Sequence, residues 1–117
     1  MTGEFTMLAT FVAKRGAEAA LAEELSAMLP PTRAEPGSVE YRALPDPERP
    51  GTVVMIETWA DRAALQAHFA SPHFLRVAPI LADLIGAPVE VLELAPTENA
   101  RVQIGADQLR ALGASTP

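Results

Sequence analysis

Val53–Phe74 reads VVMIETWADRAALQAHFASPHF, and its hydrophobic period changes along the way. Val53 to Trp59 alternates as a strand, with Val53, Met55, Glu57 and Trp59 on one face and Val54, Ile56 and Thr58 on the other. Asp61 is an N-cap by type, because its short carboxylate can accept from the backbone N–H groups left exposed in a first helical turn. The helix it starts is predicted over Arg62 to Phe69, with Leu65, His68 and Phe69 facing inward. Ser71-Pro72 repeats the start signal, a capping residue followed by proline at the first helical position. The helix that follows carries Phe74, Val77, Ala78, Leu81 and Leu84 on one side, bends at Pro79 and ends at Gly86. A glutamate, a tryptophan and two histidines, His68 and His73, thus fall around one strand end and one helix break.

Outward from this stretch, Phe5 to Lys14 reads as a strand that is apolar on both faces, Phe5, Met7, Ala9 and Phe11 on one and Leu8 and Val12 on the other. Ala17 to Leu29 is a predicted helix with Leu21, Leu25 and Met28 as its buried stripe, ended or kinked by Pro30-Pro31. Glu35-Pro36-Gly37 marks a turn, and Ser38 to Leu44 a strand with Val39, Tyr41 and Ala43 on one face. The proline-rich loop from Pro45 to Gly51 joins it to Thr52–Trp59 as a hairpin, and Val89 to Leu94 is a fourth strand. Strand, helix, two strands, helix pair and strand make an α+β chain of ferredoxin-like βαββαβ order, an antiparallel four-stranded sheet with helices on one face. The bare face is too apolar to stay wet, which predicts a homodimer packed sheet to sheet.

Residues 1–96 form this unit, and residues 97–117 lie outside it. Within that extension Arg101 to Ile104 is a candidate strand and Ala106 to Leu112 a candidate helix. It is either a frayed tail or, since Val102, Ile104, Leu109 and Leu112 need a surface, an arm laid on the partner subunit.

Composition excludes several classes of function. With 117 residues the chain is one domain, and with no cysteine it has neither disulfides nor thiolate metal ligands. A net charge of −6 with scattered basic residues argues against nucleic acid. No apolar run has the length of a membrane span, so no membrane partner is expected and a cytoplasmic location is.

Three pieces, AKRGAEAALAEEL at 13–25, TRAEPGSVEYRAL at 32–44 and IETWADRAALQAHFASPHF at 56–74, together resemble the antibiotic biosynthesis monooxygenase (ABM) domain, in its quinol-monooxygenase-like branch. The resemblance covers Phe5 to about Pro96 and implies a dimeric α+β barrel with a pocket between sheet and helices. It implies oxygenases of phenols or quinols that need no metal, flavin or haem; other members degrade haem or isomerise a small phosphorylated compound. The polyketide-oxidising type carries asparagine where this chain has Met55. The haem-degrading type would need different residues at Ala9, His68 and Ala78. Both substrates are therefore disfavoured.

The expected function is oxidation of a quinol or hydroxylated aromatic by dioxygen, with no cofactor. His68 or His73 would serve as the base, since neutral imidazole suits removal of a phenolic proton. Trp59 would line the pocket and offer its indole N–H to an oxyanion, or else seal the core. Glu57 would orient a histidine or form a buried ion pair with Arg42 or Arg33, and Met55, Phe69, Phe74 and Arg76 complete the substrate-binding set. No metal site is expected: the histidines, five residues apart across a helix break, lack the spacing of a zinc helix, and Glu57 is the only third ligand in view. Two rivals remain, an isomerase of a small polar or phosphorylated metabolite and a non-catalytic dimeric binding module.

Overall fold

The computed structural model describes residues 3–94 and 99–113. In order they form β1 (Phe5–Val12), α1 (Glu18–Ala27), α2 (Leu29–Arg33), β2 (Ser38–Pro45), β3 (Thr52–Trp59), α3 (Arg62–Phe69), α4 (Pro72–Leu84), β4 (Val89–Leu94), β5 (Asn99–Ile104) and α5 (Ala106–Gly113). The sheet runs β2-β3-β1-β4-β5 with every neighbouring pair antiparallel. Its first four strands have the ferredoxin-like order expected from the alternation of periods.

β1 sits at the centre because it can be buried on both sides. Phe5, Met7, Ala9 and Phe11 are buried beneath the helices, and Thr6, Leu8, Thr10 and Val12 on the other face are half-buried. Leu21 and Leu25 of α1 and Met28 just past it close the inner face, with Phe74, Val77, Ala78 and Leu81 of α4. Asp61 and Ser71 cap α3 and α4 as expected, accepting from Ala64 N at 2.8 Å and Phe74 N at 3.3 Å.

The helix breaks at Met28, just ahead of the proline pair expected to end or kink it. α1 stops at Ala27, and Pro30 and Pro31 occupy the first turn of α2, where the missing N–H groups have no helical acceptor to lose. On β2 the register shifts between Ser38 and Glu40, so Val39 is bulged out and exposed instead of sharing the face of Tyr41.

The C-terminal extension folds onto its own chain. β5 adds an edge strand beside β4, and α5 packs along α4 with Leu109 buried. Residues 97–98 and 114–117 of the expected arm lie outside the described residues. No helix among the described residues is long and apolar enough to cross a membrane.

Candidate active site

Between the inner face of the sheet and the helices lies a cavity of about 60 Å³. Its wall combines Met7 and Phe11 of β1, Met28, Phe69 and Phe74 of the helical layer, and Ile104, Leu109 and Leu112 of the C-terminal extension. Among the described residues its only polar lining comes from Tyr41, Glu57 and His68. A cavity of this make-up admits an apolar body and recognises polar atoms at one end.

His68 is 2% exposed, on the inward face of α3 as its spacing predicted. Its ring packs 4.8 Å from that of Trp59 and 5.2 Å from that of Phe74. Nδ1 lies 2.8 Å from Glu35 Oε2. The same carboxylate oxygen lies 2.6 Å from His73 Nε2. An ionised carboxylate only accepts, so these bonds place a ring proton on His68 Nδ1 and on His73 Nε2. Burial lowers the His68 pKa below the ordinary histidine value, and the Glu35 bond opposes that shift in part.

Glu35 reaches the histidines because of the turn that holds it. Its N–H donates to Thr32 O at 3.0 Å, its carbonyl accepts from Ser38 N at 3.1 Å, and Gly37 O accepts from Ala60 N at 2.9 Å. A Cβ on Gly37 would stand 2.2 Å from Ala64 Cβ, so only glycine lets this turn lie against α3. The outer side of the turn borders an open groove that Glu35 shares with Ala67 and Ser71.

Glu57 does not meet a histidine or an arginine. Its Oε1 accepts from Trp59 Nε1 at 3.1 Å, two residues along the same strand face. Burial pushes the Glu57 carboxyl up to about 7; the Trp59 bond pulls it down, and the Glu35 charge adds to the rise. Tyr41, opposite Glu57 on β2, has its phenol held well above its ordinary pKa by burial and then by the Glu57 charge.

Of the residues singled out in the sequence, His68, Glu57, Phe69 and Phe74 line the cavity. Trp59 is fully buried with its indole N–H given to Glu57, so it supports the wall without lining it. Met55 is likewise buried in the sheet face and does not line the cavity. Arg76 lies outside, ion-paired with Glu24 at 3.0 Å. His73 stands behind Glu35, away from the cavity wall. The carboxylate beside the histidines is Glu35 and not Glu57, and the three side chains Glu35, His68 and His73 have donor atoms close enough together to share an ion. In the sequence Glu35 reads as turn chemistry, in Glu-Pro-Gly, and Tyr41 as a sheet-face residue, so neither stands out as part of a site. The nearest available signal was a charged residue directly before a proline-glycine turn.

An antiparallel α+β sandwich whose helical layer covers an apolar cavity with a carboxylate-held histidine in its wall defines a small-molecule pocket protein. The family model described as "Antibiotic biosynthesis monooxygenase" matches residues 4–79, and the chain belongs to that family. It is 37% identical over 100 residues, 86% of this chain and 98% of the other, to the protein named "Putative monooxygenase Rv0793" of Mycobacterium tuberculosis. The structure of Rv0793 superposes with a TM-score of 0.75 at 35% identity, covering 83% of this chain and 98% of that one. PA3566 of Pseudomonas aeruginosa superposes with a TM-score of 0.77 at 35% identity, covering 84% and 98%.

Proposed function

We propose that the protein is a monooxygenase that oxidises a small quinol or hydroxylated aromatic with dioxygen, needing no cofactor, with His68 as the base. One observation carries this reading. His68 Nδ1 lies against the Glu35 carboxylate, which favours the Nδ1–H tautomer, while Nε2 has no hydrogen-bond partner among the described residues and the ring lines the cavity. A base–orienter pair of this kind leaves one lone pair ready to take a phenolic proton.

In the proposed reaction His68 Nε2 removes that proton. The electron-rich phenolate passes an electron to dioxygen, and the radical pair recombines as a ring peroxide. Loss of water from the peroxide leaves the quinone, so one oxygen atom enters the product and the other leaves as water. The chain contributes orientation, exclusion of water and a base, and the substrate supplies the electrons. Glu57, close to neutral pH in its affinity for a proton, is suited to donate a hydrogen bond to a substrate oxygen.

A cavity of about 60 Å³ must widen for a ring, since an engineered cavity that takes benzene measures about 150 Å³. The isomerase reading finds less support: Arg33 donates to Tyr41 O at 2.9 Å, Arg42 pairs with Glu40, Arg76 pairs with Glu24, and none of them lines the cavity.

The same proposal includes a homodimer. On the outer sheet face the register aligns Ile56, Leu8 and Leu92 in one apolar row, flanked by Arg42 and Arg101. A second copy packed on this row would dry it. The test of the reaction is oxygen uptake with a panel of naphthoquinols, comparing wild type with His68→Ala. The base should be worth about 10²–10⁴-fold; uptake no faster than the uncatalysed background would sink the proposal.

A further inference from the structure

We propose that Glu35, His68 and His73 form a binding site for a divalent transition-metal ion of the zinc type, placed directly behind the cavity wall. Glu35 Oε2 lies 2.8 Å from His68 Nδ1 and 2.6 Å from His73 Nε2, and all three atoms lie within 4.8 Å of one another. Two imidazole nitrogens and one carboxylate oxygen meeting at a point are a donor set that zinc accepts in three-ligand sites with an open fourth position. Magnesium and calcium prefer oxygen alone, so they fit poorly. Zinc bonds of about 2.0–2.2 Å put tetrahedral ligand atoms roughly 3.4 Å apart. Seating an ion therefore opens the two Glu35 contacts by less than about 1 Å and draws together the two imidazole nitrogens, now within 4.8 Å of each other, by on the order of 1 Å.

The surroundings suit such a site. The ligands come from three separately anchored elements: the turn before β2, α3, and the first turn of α4. His68 is held against the Trp59 ring at 4.8 Å, and its carbonyl accepts from Ser71 Oγ at 2.6 Å. Glu35 is fixed by its turn, and Gly37 seats that turn on α3. An open groove borders Glu35 and Ser71, so solvent reaches the carboxylate side of the cluster. Glu35 and His73 side chains keep 13% and 20% exposure, enough for an ion to reach them. Asp61, in the same groove, is occupied in capping α3. The net charge of −6 favours arrival of a cation.

The ion has a consequence at the cavity, which rests on the oxygenase reading above. Binding through Nδ1 requires that nitrogen to give up its proton, and neutral His68 then carries its proton on Nε2. The face of His68 turned to the cavity changes from acceptor to donor. The ion is thus an inhibitor that switches off the base, not a cofactor of the reaction.

The experiment is titration of the chelator-treated full chain with zinc chloride by calorimetry. Trp59, the single tryptophan, should report binding through its fluorescence because its ring packs 4.8 Å from that of His68. One zinc per chain is expected, with no comparable heat from magnesium. His73→Ala and Glu35→Gln should each weaken binding by about 10–100-fold or more. Circular dichroism without metal checks that both variants fold; should either fail, cobalt(II) absorption of the wild type distinguishes a four-coordinate nitrogen–oxygen site from a loosely held hydrated ion. No zinc uptake, uptake unchanged in both folded variants, or a hydrated-cobalt spectrum overturns the site. Quinol oxidation is measured separately on metal-free protein. Its absence defeats the oxygenase reading and leaves the isotherm to decide the ion site, whereas oxidation that persists at full zinc occupancy overturns ligation through His68 Nδ1.

Discussion

Glu35 Oε2 lies 2.8 Å from His68 Nδ1, joining a turn between helix and strand to the inward face of α3. The bond decides which histidine nitrogen is free. Without the carboxylate, the Nδ1–H and Nε2–H tautomers of His68 would be nearly balanced, and a share of molecules would present a donor to the cavity where a base is needed.

Glu35→Gln is therefore expected to lower kcat by about 10²-fold or more, since a mispositioned tautomer in a comparable base–orienter pair is costly. KM should change little, because Glu35 does not line the cavity. Steady-state oxygen uptake against quinol concentration separates the two. A rise in KM at unchanged kcat would contradict the positioning role.

Glu57 should make stability depend on pH. It binds its proton more tightly folded, at about 7, than at its ordinary 4.5. Between those values the folded chain holds the proton and the unfolded chain has released it, so stability falls as pH rises from about 4.5 to 7 and levels off above. At about 1.4 kcal/mol per pH unit the contribution is on the order of 3 kcal/mol. Urea melts of Glu57→Gln across this range should lose that slope, and the variant should gain on the wild type as pH rises.

Trp59→Phe removes the indole donor and leaves the Glu57 carboxyl buried without its partner. A cost of about 1–3 kcal/mol is expected from the unpaired group, before any loss of packing. The same change should raise the Glu57 pKa further, because the Trp59 bond is the influence that lowers it. Melts followed by far-ultraviolet circular dichroism measure the first effect, and carboxyl chemical shifts against pH the second. An unmoved Glu57 titration would show that the bond is not made in solution.

The outer sheet face offers a test of assembly. Ile56→Glu puts a charge in the middle of the apolar row formed with Leu8 and Leu92. Burying that charge would cost far more than exposing it. Light scattering should give twice the chain mass for the wild type and the single chain mass for the variant. Equal masses would argue against the sheet-to-sheet dimer.

How much of this was legible depended on distance along the chain. The strands, the caps at Asp61 and Ser71 and the inward placement of His68 follow from local periods and residue chemistry, and the structure has them all. The pairing of Glu57 with Trp59 is within reach of the sequence, since both share one strand face, but residue chemistry alone points a buried carboxylate to a histidine, Arg42 or Arg33. The bulge at Val39 and the use of Pro30-Pro31 to begin α2 depend on how neighbouring elements meet, which local propensity does not encode. Glu35 is the residue least legible in the sequence. Its contact with His68 spans 33 residues and exists only because two segments approach unusually closely.

That approach is set by the missing side chain of Gly37. A single methyl there would collide with Ala64, lift the turn from α3 and carry Glu35 away from both imidazoles, although no ionisable group had been touched. For anyone redesigning this pocket, the backbone separation at Gly37 is the dimension to hold constant. Among the residues around the cavity, the apolar ones such as Phe69 and Leu112, and not His68 or Glu57, are those to vary.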